Sequence, residues 1–216
     1  MEIRRFFTGP LQVNTYVSHD DTGLGFIVDP GGFSAQAASY ISEQKIDLQY
    51  IILTHGHADH IGGVKGFKDK FPNAKVIASV HEKELLQDGH LNSSIMICGK
   101  EVTVDADIYV EDGDELTVGN THLSFLHTPG HSPGGMCIIA TEGEGQVCYS
   151  GDTLFFLSIG RTDFYGGDMD VLCRSIREKL YVLPDDTIVL PGHMQETLIG
   201  NEKRNNPFVQ DTGKRL

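Results

Sequence analysis

Residues 54–60 read "THGHADH", which places three imidazoles and a carboxylate, His55, His57, Asp59 and His60, within six positions. The stretch follows the apolar run "IIL" at 51–53. Such side chains add little to a hydrophobic core, and burying them without partners is costly. A fold for this chain must therefore end a buried strand here and turn the polar cluster into a cleft.

The same ending recurs further on. "HLSFLHTP" is followed by Gly130 and His131, "VCYS" by Gly151 and Asp152, and "IVLP" by Gly192 and His193. In α/β proteins, functional groups gather beyond the carboxyl ends of strands, on loops held by a rigid base. A glycine before each group permits a sharp turn and close backbone approach. One tetrahedral zinc takes three or four protein ligands. His55, His57, Asp59, His60, His131, Asp152 and His193 can therefore fill two sites if one carboxylate bridges. Two divalent ions about 3.5–4 Å apart are a hydrolytic device: they generate a hydroxide near neutral pH and polarise a carbonyl. Zinc is the first expectation, and imidazole and carboxylate ligands also accept iron or manganese.

The other histidines read differently. His19, His81, His90 and His122 suit surface or satisfied core positions. His127, four residues before His131, could support a ligand without being one.

Around these motifs the chain alternates strand and helix signals. "EIRRFFT", "VNTYVS" and "LGFIVD" read as strands bounded by turn residues. A helix is expected over 34–45, a buried strand at "LQYIILT", and a helix through "ADHIGGVKGFKDKF" despite its glycines. "AKVIAS" reads as a strand, "HEKELLQD" as a short helix and 88–100 as a mobile loop. Strands return with "VTVDADIYV", "LTVG", "HLSFLHT", "GGMCIIA" and "QVCYS". A helix over 168–180, a strand at "DTIVLP" and helix from about 196 follow. This order predicts one layered α/β domain over 1–216.

Composition narrows the function classes. A formal net charge of -13 and a pI of about 5.1 argue against nucleic acid as a partner. No apolar run is long enough to cross a membrane. The N-terminus reads as mature protein, and Cys98, Cys137, Cys148 and Cys173 lack C-x-x-C spacing. A reducing, cytoplasmic setting is expected. The pattern sets no oligomeric state.

"THGHADH", "HTPGHSPGG", "SGDTLF" and "LPGH", with "VDPGG" at 28–32, together resemble the signature segments of the metallo-β-lactamase superfold. Within it, they resemble the glyoxalase II-like branch. The resemblance implies a four-layer αβ/βα sandwich of two mixed β-sheets with outer helices, and metals at one edge between the sheets. By motif, His55, His57 and His131 would hold the first ion, and Asp59, His60 and His193 the second. Asp152 would bridge, and Asp59 could assist proton handling. Asp29 resembles the carboxylate that orients a ligand loop, although a turn-forming aspartate reads equally well.

The β-lactamases of the superfold generally carry cysteine or serine where Asp152 stands, which argues against an antibiotic hydrolase. Two activities of the branch remain. Glyoxalase II hydrolyses the thioester of S-2-hydroxyacylglutathione. The persulfide dioxygenases use one iron on two histidines and an aspartate, here His55, His131 and Asp152. "SIGRTDFYGGD" at 158–168 is similar to both groups. Arg161 within it would contact a glutathione carboxylate, unless it pairs with Asp163 instead. Two departures bear on glutathione. His193 stands 23 residues before Leu216, too few for the C-terminal helical domain of full-length glyoxalase II. The aromatic expected after the last histidine is replaced by Met194 and Gln195. The expectation is a thioester hydrolase with a small-molecule substrate, glutathione-linked or not. Arg204 and Asn206 read as structural.

Overall fold

The computed structural model describes residues 1–210. The end of the expected domain, 211–216, lies outside the described residues. β1 (Glu2–Thr8), β2 (Val13–His19) and β3 (Leu24–Val28) pair antiparallel. α1 (Ala35–Glu43) then crosses over, and Ser34 caps it by accepting the Ala37 N–H at 3.2 Å. β4 (Asp47–Ile52) returns parallel to β3.

The expected helix after β4 is two helices, α2 (Ala58–Ile61) and α3 (Val64–Lys70). The break falls at Gly62 and Gly63. A Cβ on Gly63 would lie 2.5 Å from the Gly32 carbonyl carbon, and the Gly63 N–H donates to the Pro30 carbonyl at 2.6 Å. The glycines let this turn pack directly against "DPGG".

β5 (Lys75–Ser79) leads through a 3-10 turn at Val80–Glu82 into α4 (Lys83–Gln87). The stretch 88–100, expected as loop, carries the short helix α5 (Ser94–Cys98). Its buried Asn92 accepts the Ala58 N–H at 2.9 Å through the backbone, which ties it to α2.

The strand expected at 102–110 is shortened to β6 (Ile108–Val110). Its first half is held elsewhere. Val102 N–H donates to Ser94 Oγ at 2.9 Å and Val104 N–H to the Leu86 carbonyl at 3.0 Å. Those bonds take the groups that sheet pairing would need.

β7 (Glu115–Val118), β8 (Thr121–His127), β9 (Met136–Glu142) and β10 (Gly145–Gly151) form an antiparallel meander. A small hairpin follows, β11 (Leu154–Phe155) with β12 (Ser158–Ile159). α6 (Met169–Ser175) continues into a wider helical turn at Ile176–Leu180. β13 (Ile188–Pro191) pairs parallel with β10, β14 (Thr197–Leu198) pairs antiparallel with β13, and α7 (Ile199–Asn205) follows.

The result is two six-stranded mixed sheets, ordered β1-β2-β3-β4-β5-β6 and β14-β13-β10-β9-β8-β7. Strand alternation builds the layers. Phe26, Val28 and Ile52 face Ile138, Ala140 and Tyr149 between the sheets. The intervening Ile27 and Ile51 face out, against Ile41 of α1 and Phe67 of α3. Cys137, Ile139 and Cys148 likewise face out, against Leu172 and Ile199 of α6 and α7. Burying each large aliphatic or aromatic side chain contributes about 1.5–3 kcal/mol. The sandwich therefore rests on three apolar contacts: helix on sheet, sheet on sheet and sheet on helix. At one edge the sheets are stitched together. Met136 N–H donates to the Thr54 carbonyl at 2.9 Å, and Asn14 N–H to that of Gly192 at 2.7 Å.

Candidate metal centre

That edge collects the carboxyl ends of β4, β8, β10 and β13, and with them all seven residues singled out by sequence. Three ring nitrogens meet first. His131 Nε2 lies 2.9 Å from His57 Nδ1 and 3.2 Å from His55 Nε2. Beside them, His193 Nε2 lies 3.1 Å and His60 Nε2 3.7 Å from Asp59 Oδ2. Asp152 stands between the groups, its Oδ2 3.6 Å from His131 Nε2 and its Oδ1 3.4 Å from His60 Nε2. His193 is the most open of the set, with a side chain 26% exposed.

Neighbouring groups fix which nitrogens carry protons. His131 Nδ1–H donates to the Arg161 carbonyl at 2.7 Å, and His60 Nδ1–H to Asp29 Oδ2 at 2.9 Å. Thr54 Oγ1 donates to Asp29 Oδ2 at 2.6 Å, which leaves that hydroxyl to accept His55 Nδ1–H at 3.1 Å. The Nε2 atoms of His55, His60 and His131 are thereby left as lone pairs turned into the cleft. Lone pairs converging at such distances repel unless a cation lies among them. His60 Nε2 and Asp152 Oδ1 are buried with no hydrogen-bond partner, as is His57 Nε2, the ring nitrogen not turned to His131. Buried polar atoms of this kind are rare and need an explanation. The donor set fits divalent ions: neutral imidazoles oriented by outer partners, plus ionised carboxylates.

Electrostatics favour the neutral imidazole at His55 and His57 and the ionised carboxylate at Asp59 and Asp152, but the charged form at His60. Burial, followed by the neighbouring His60 and His131, pushes His55 well down. Burial and then His131 push His57 down to about 3. Burial works against the Asp152 carboxylate, but His60, His131 and His193 hold it below the ordinary range. Burial likewise opposes Asp59, which His60 and His193 hold down. His60 is pushed up in spite of its burial, by Asp152, Asp59 and Asp29.

Asp29 is thus more than a turn residue. It also accepts the Thr54 N–H at 2.7 Å, so its two oxygens take three donors and position His55 and His60. Arg161 meets the cluster through its backbone. Its guanidinium, on a side chain 58% exposed, pairs with Asp163 at 2.6 and 2.7 Å and lies over Phe164. Phe164 in turn packs its edge on His57, which puts Arg161 at the rim.

His127 does not reach the ligand atoms. Its Nε2–H donates to the Pro133 carbonyl at 3.0 Å and its ring stacks on His81. Asn206 donates to the Ser158 carbonyl and to Glu202, and Arg204 pairs with Asp185, both away from the cluster.

Two supports were not evident from sequence. Asn14 Nδ2 donates to the Pro191 and Met194 carbonyls, each at 2.9 Å, and so brackets His193. Glu82, buried under the cluster, accepts hydrogen bonds from Gly56, Ser132 and Gly134. Burial pushes its carboxyl up to about 7 although those three donors pull it down. Each lies in an ordinary strand or helix pattern that carries no sign of such a partner.

Two glycines explain how closely the loops pack. A Cβ on Gly192 would lie 2.5 Å from Asp152 Oδ1, and one on Gly160 only 1.8 Å from the Asp152 carbonyl oxygen. Gly160→Ala is expected to destabilise the protein by about 1–3 kcal/mol or more and to weaken cation binding. Thermal unfolding with and without zinc measures both, and wild-type values would contradict this packing.

The family follows from comparison with known proteins. A sequence profile of the metallo-beta-lactamase superfamily matches residues 8–193. The chain belongs to that superfamily. It is 42% identical to a probable metallo-hydrolase, YqgX, of Bacillus subtilis, over 97% of this chain and 98% of that one. It is 37% identical to the hydroxyacylglutathione hydrolase GloC of Haemophilus influenzae, over 92% and 93%.

Solved structures agree on the fold. BLEG-1, described as a B3 metallo-beta-lactamase, superposes with a TM-score of 0.89 at 38% identity, covering 97% of this chain and 100% of that one. TTHA1623 in a di-iron-bound form gives 0.81 at 30%, covering 95% and 100%. ETHE1 from Myxococcus xanthus gives 0.77 at 28%, covering 96% and 84%. The chain is a metallo-hydrolase of the superfamily, with its His and Asp clusters as the metal-binding site. Among the described residues no helix is long and apolar enough to cross a membrane.

Proposed function

We propose that this protein is a binuclear thioester hydrolase acting on S-2-hydroxyacylglutathione or a closely related small thioester. The observation that carries the reading is the placement of Asp152. Its Oδ2 lies 3.6 Å from His131 Nε2 of one group and 3.9 Å from His193 Nε2 of the other, and its Oδ1 lies 3.4 Å from His60 Nε2. A carboxylate so placed suits a bridge between two cations. When bound, the two ions supply a nucleophilic hydroxide at neutral pH and polarise the substrate carbonyl.

The chain's residues do the rest. Asp29, Thr54 and the Arg161 carbonyl hold the imidazoles with their lone pairs inward. Asp59, paired with His193, stands where it can take a proton from the attacking oxygen and pass it to the departing thiolate sulfur. The 37% identity to GloC, a hydroxyacylglutathione hydrolase, supports the choice of substrate. Zinc is the proposed metal, with iron or manganese as alternatives on the same ligands.

The test is thiol release from S-D-lactoylglutathione by metal-replete protein without oxygen. Rapid release that a chelator abolishes and zinc restores is the expected result. No release with cations bound would reject the substrate. Oxygen uptake with glutathione persulfide and a single iron would then select the dioxygenase reading. Opening of a β-lactam ring, the reaction suggested by the description of BLEG-1, would select a third.

Arg161 gives a narrower prediction. If its guanidinium exchanges Asp163 for a substrate carboxylate, Arg161→Ala raises KM for the glutathione thioester about tenfold and leaves kcat unchanged. That magnitude is a charge-assisted hydrogen bond discounted for exposure. An unchanged KM would confine the side chain to its pair with Asp163.

A further inference from the structure

Glu82 ends the 3-10 turn after β5, and its backbone neighbours Leu85 and Leu86 are buried in α4. The residue is 1% exposed and has no Lys or Arg ion-pair partner among the described residues. An unpaired buried carboxylate is expensive, so its hydrogen bonds must justify it. Those bonds run in two directions. Oε2 accepts the Gly56 N–H at 2.8 Å, midway between His55 and His57. Oε1 accepts the Ser132 hydroxyl at 2.7 Å and the Gly134 N–H at 2.5 Å, directly after His131.

Both loops fit closely around this one residue. A Cβ on Gly56 would lie 2.8 Å from Glu82 Oε2, and a Cβ on Gly134 would lie 2.5 Å from Glu82 N. The second cluster has other supports: Asp29 on His60 and Asn14 around His193.

We infer that Glu82 is a positioning residue that straps the His55–His57 loop to the His131 loop and so sets the geometry of one cation site but not the other. This rests on the two-cation reading above. Only a carboxylate can do it. Glutamine has the same shape, but its amide nitrogen cannot accept an N–H, so either Gly56 or Gly134 loses its acceptor.

The experiment isolates each site. His193→Ala leaves the His55, His57 and His131 group intact, and His57→Ala leaves the Asp59, His60 and His193 group intact. Zinc affinity is measured by competition with a chromophoric chelator, with and without Glu82→Gln. In the His193→Ala background, Glu82→Gln is expected to weaken zinc about 10–100-fold, the usual effect of losing an outer partner of a metal ligand. In the His57→Ala background, affinity should not change. Equal loss in both backgrounds, or loss in neither, overturns the inference. A protein with native Glu82 that binds a single zinc overturns the two-cation reading instead. If Glu82→Gln does not fold, Ser132→Ala removes one of the three donors with Glu82 in place. Weaker zinc in the His193→Ala background alone then supports the strap, and unchanged affinity overturns it.

Discussion

Asp152→Ala is expected to abolish the proposed thioester turnover, by on the order of 10³-fold or more, and to leave the chain unable to hold two cations. The size follows from Asp152 acting as one unit with the groups on either side of it, since such effects are far from additive. Its carboxylate lies within 3.4–3.9 Å of ring nitrogens of His60, His131 and His193. Removing it leaves three imidazoles facing a gap and takes away the anion that offsets positive charge there. Asp152→Asn separates shape from charge: it keeps the volume and one acceptor, and is expected to bind cations weakly. Metal content after gel filtration and initial rates measure both variants, with circular dichroism to show folding. Near-wild-type turnover with two ions retained would remove Asp152 from the bridging position.

Asp29→Ala has the next largest expected effect, and it reaches stability as well as activity. Three donors lose their acceptor together: Thr54 N–H, Thr54 Oγ1–H and His60 Nδ1–H. Each buried donor left unpaired costs about 1–3 kcal/mol. The backbone adds to this, because Asp29 has a φ of 49°, a region that Asp and Asn visit more readily than alanine. The three donors alone sum to roughly 3–9 kcal/mol, so a loss of at least about 3 kcal/mol is expected. With Thr54 and His60 released, nothing fixes the tautomers of His55 and His60, so zinc affinity falls about 10–100-fold as well. Urea unfolding in chelator measures the stability term apart from metal, and chelator competition measures the affinity. A variant with wild-type unfolding would return Asp29 to the role of a turn residue.

The sequence carried most of the fold because the strands are short, apolar and closed by glycine or proline. Ile27, between Phe26 and Val28, shows how the layers form: strand alternation turns it to the helix face while its neighbours face the other sheet. "VTVDADIYV" shows the limit. Its alternation is that of a strand, yet Ser94 and Leu86 take its amide partners, and those residues are distant in sequence. The helix read through Gly62 and Gly63 failed for a similar reason, since Pro30 and Gly32 shape the break from another part of the chain.

The seven residues that cluster at the sheet edge were legible because each stands in a recognisable motif that follows a strand. Their supports were not. Asn14 sits within a strand pattern, and Glu82 opens an ordinary amphipathic helix. Only the folded chain shows that one brackets His193 and the other joins two loops. Arg161 was read for its charge, whereas the structure uses its carbonyl to orient His131.

The central claim is that the seven residues hold two cations around Asp152. Anomalous scattering from crystals of the metal-replete protein, recorded at the metal's absorption edge, tests it directly. The account predicts two peaks, one among His55, His57 and His131 and one among Asp59, His60 and His193, with Asp152 beside both. A single peak held only by His55, His131 and Asp152 would contradict it.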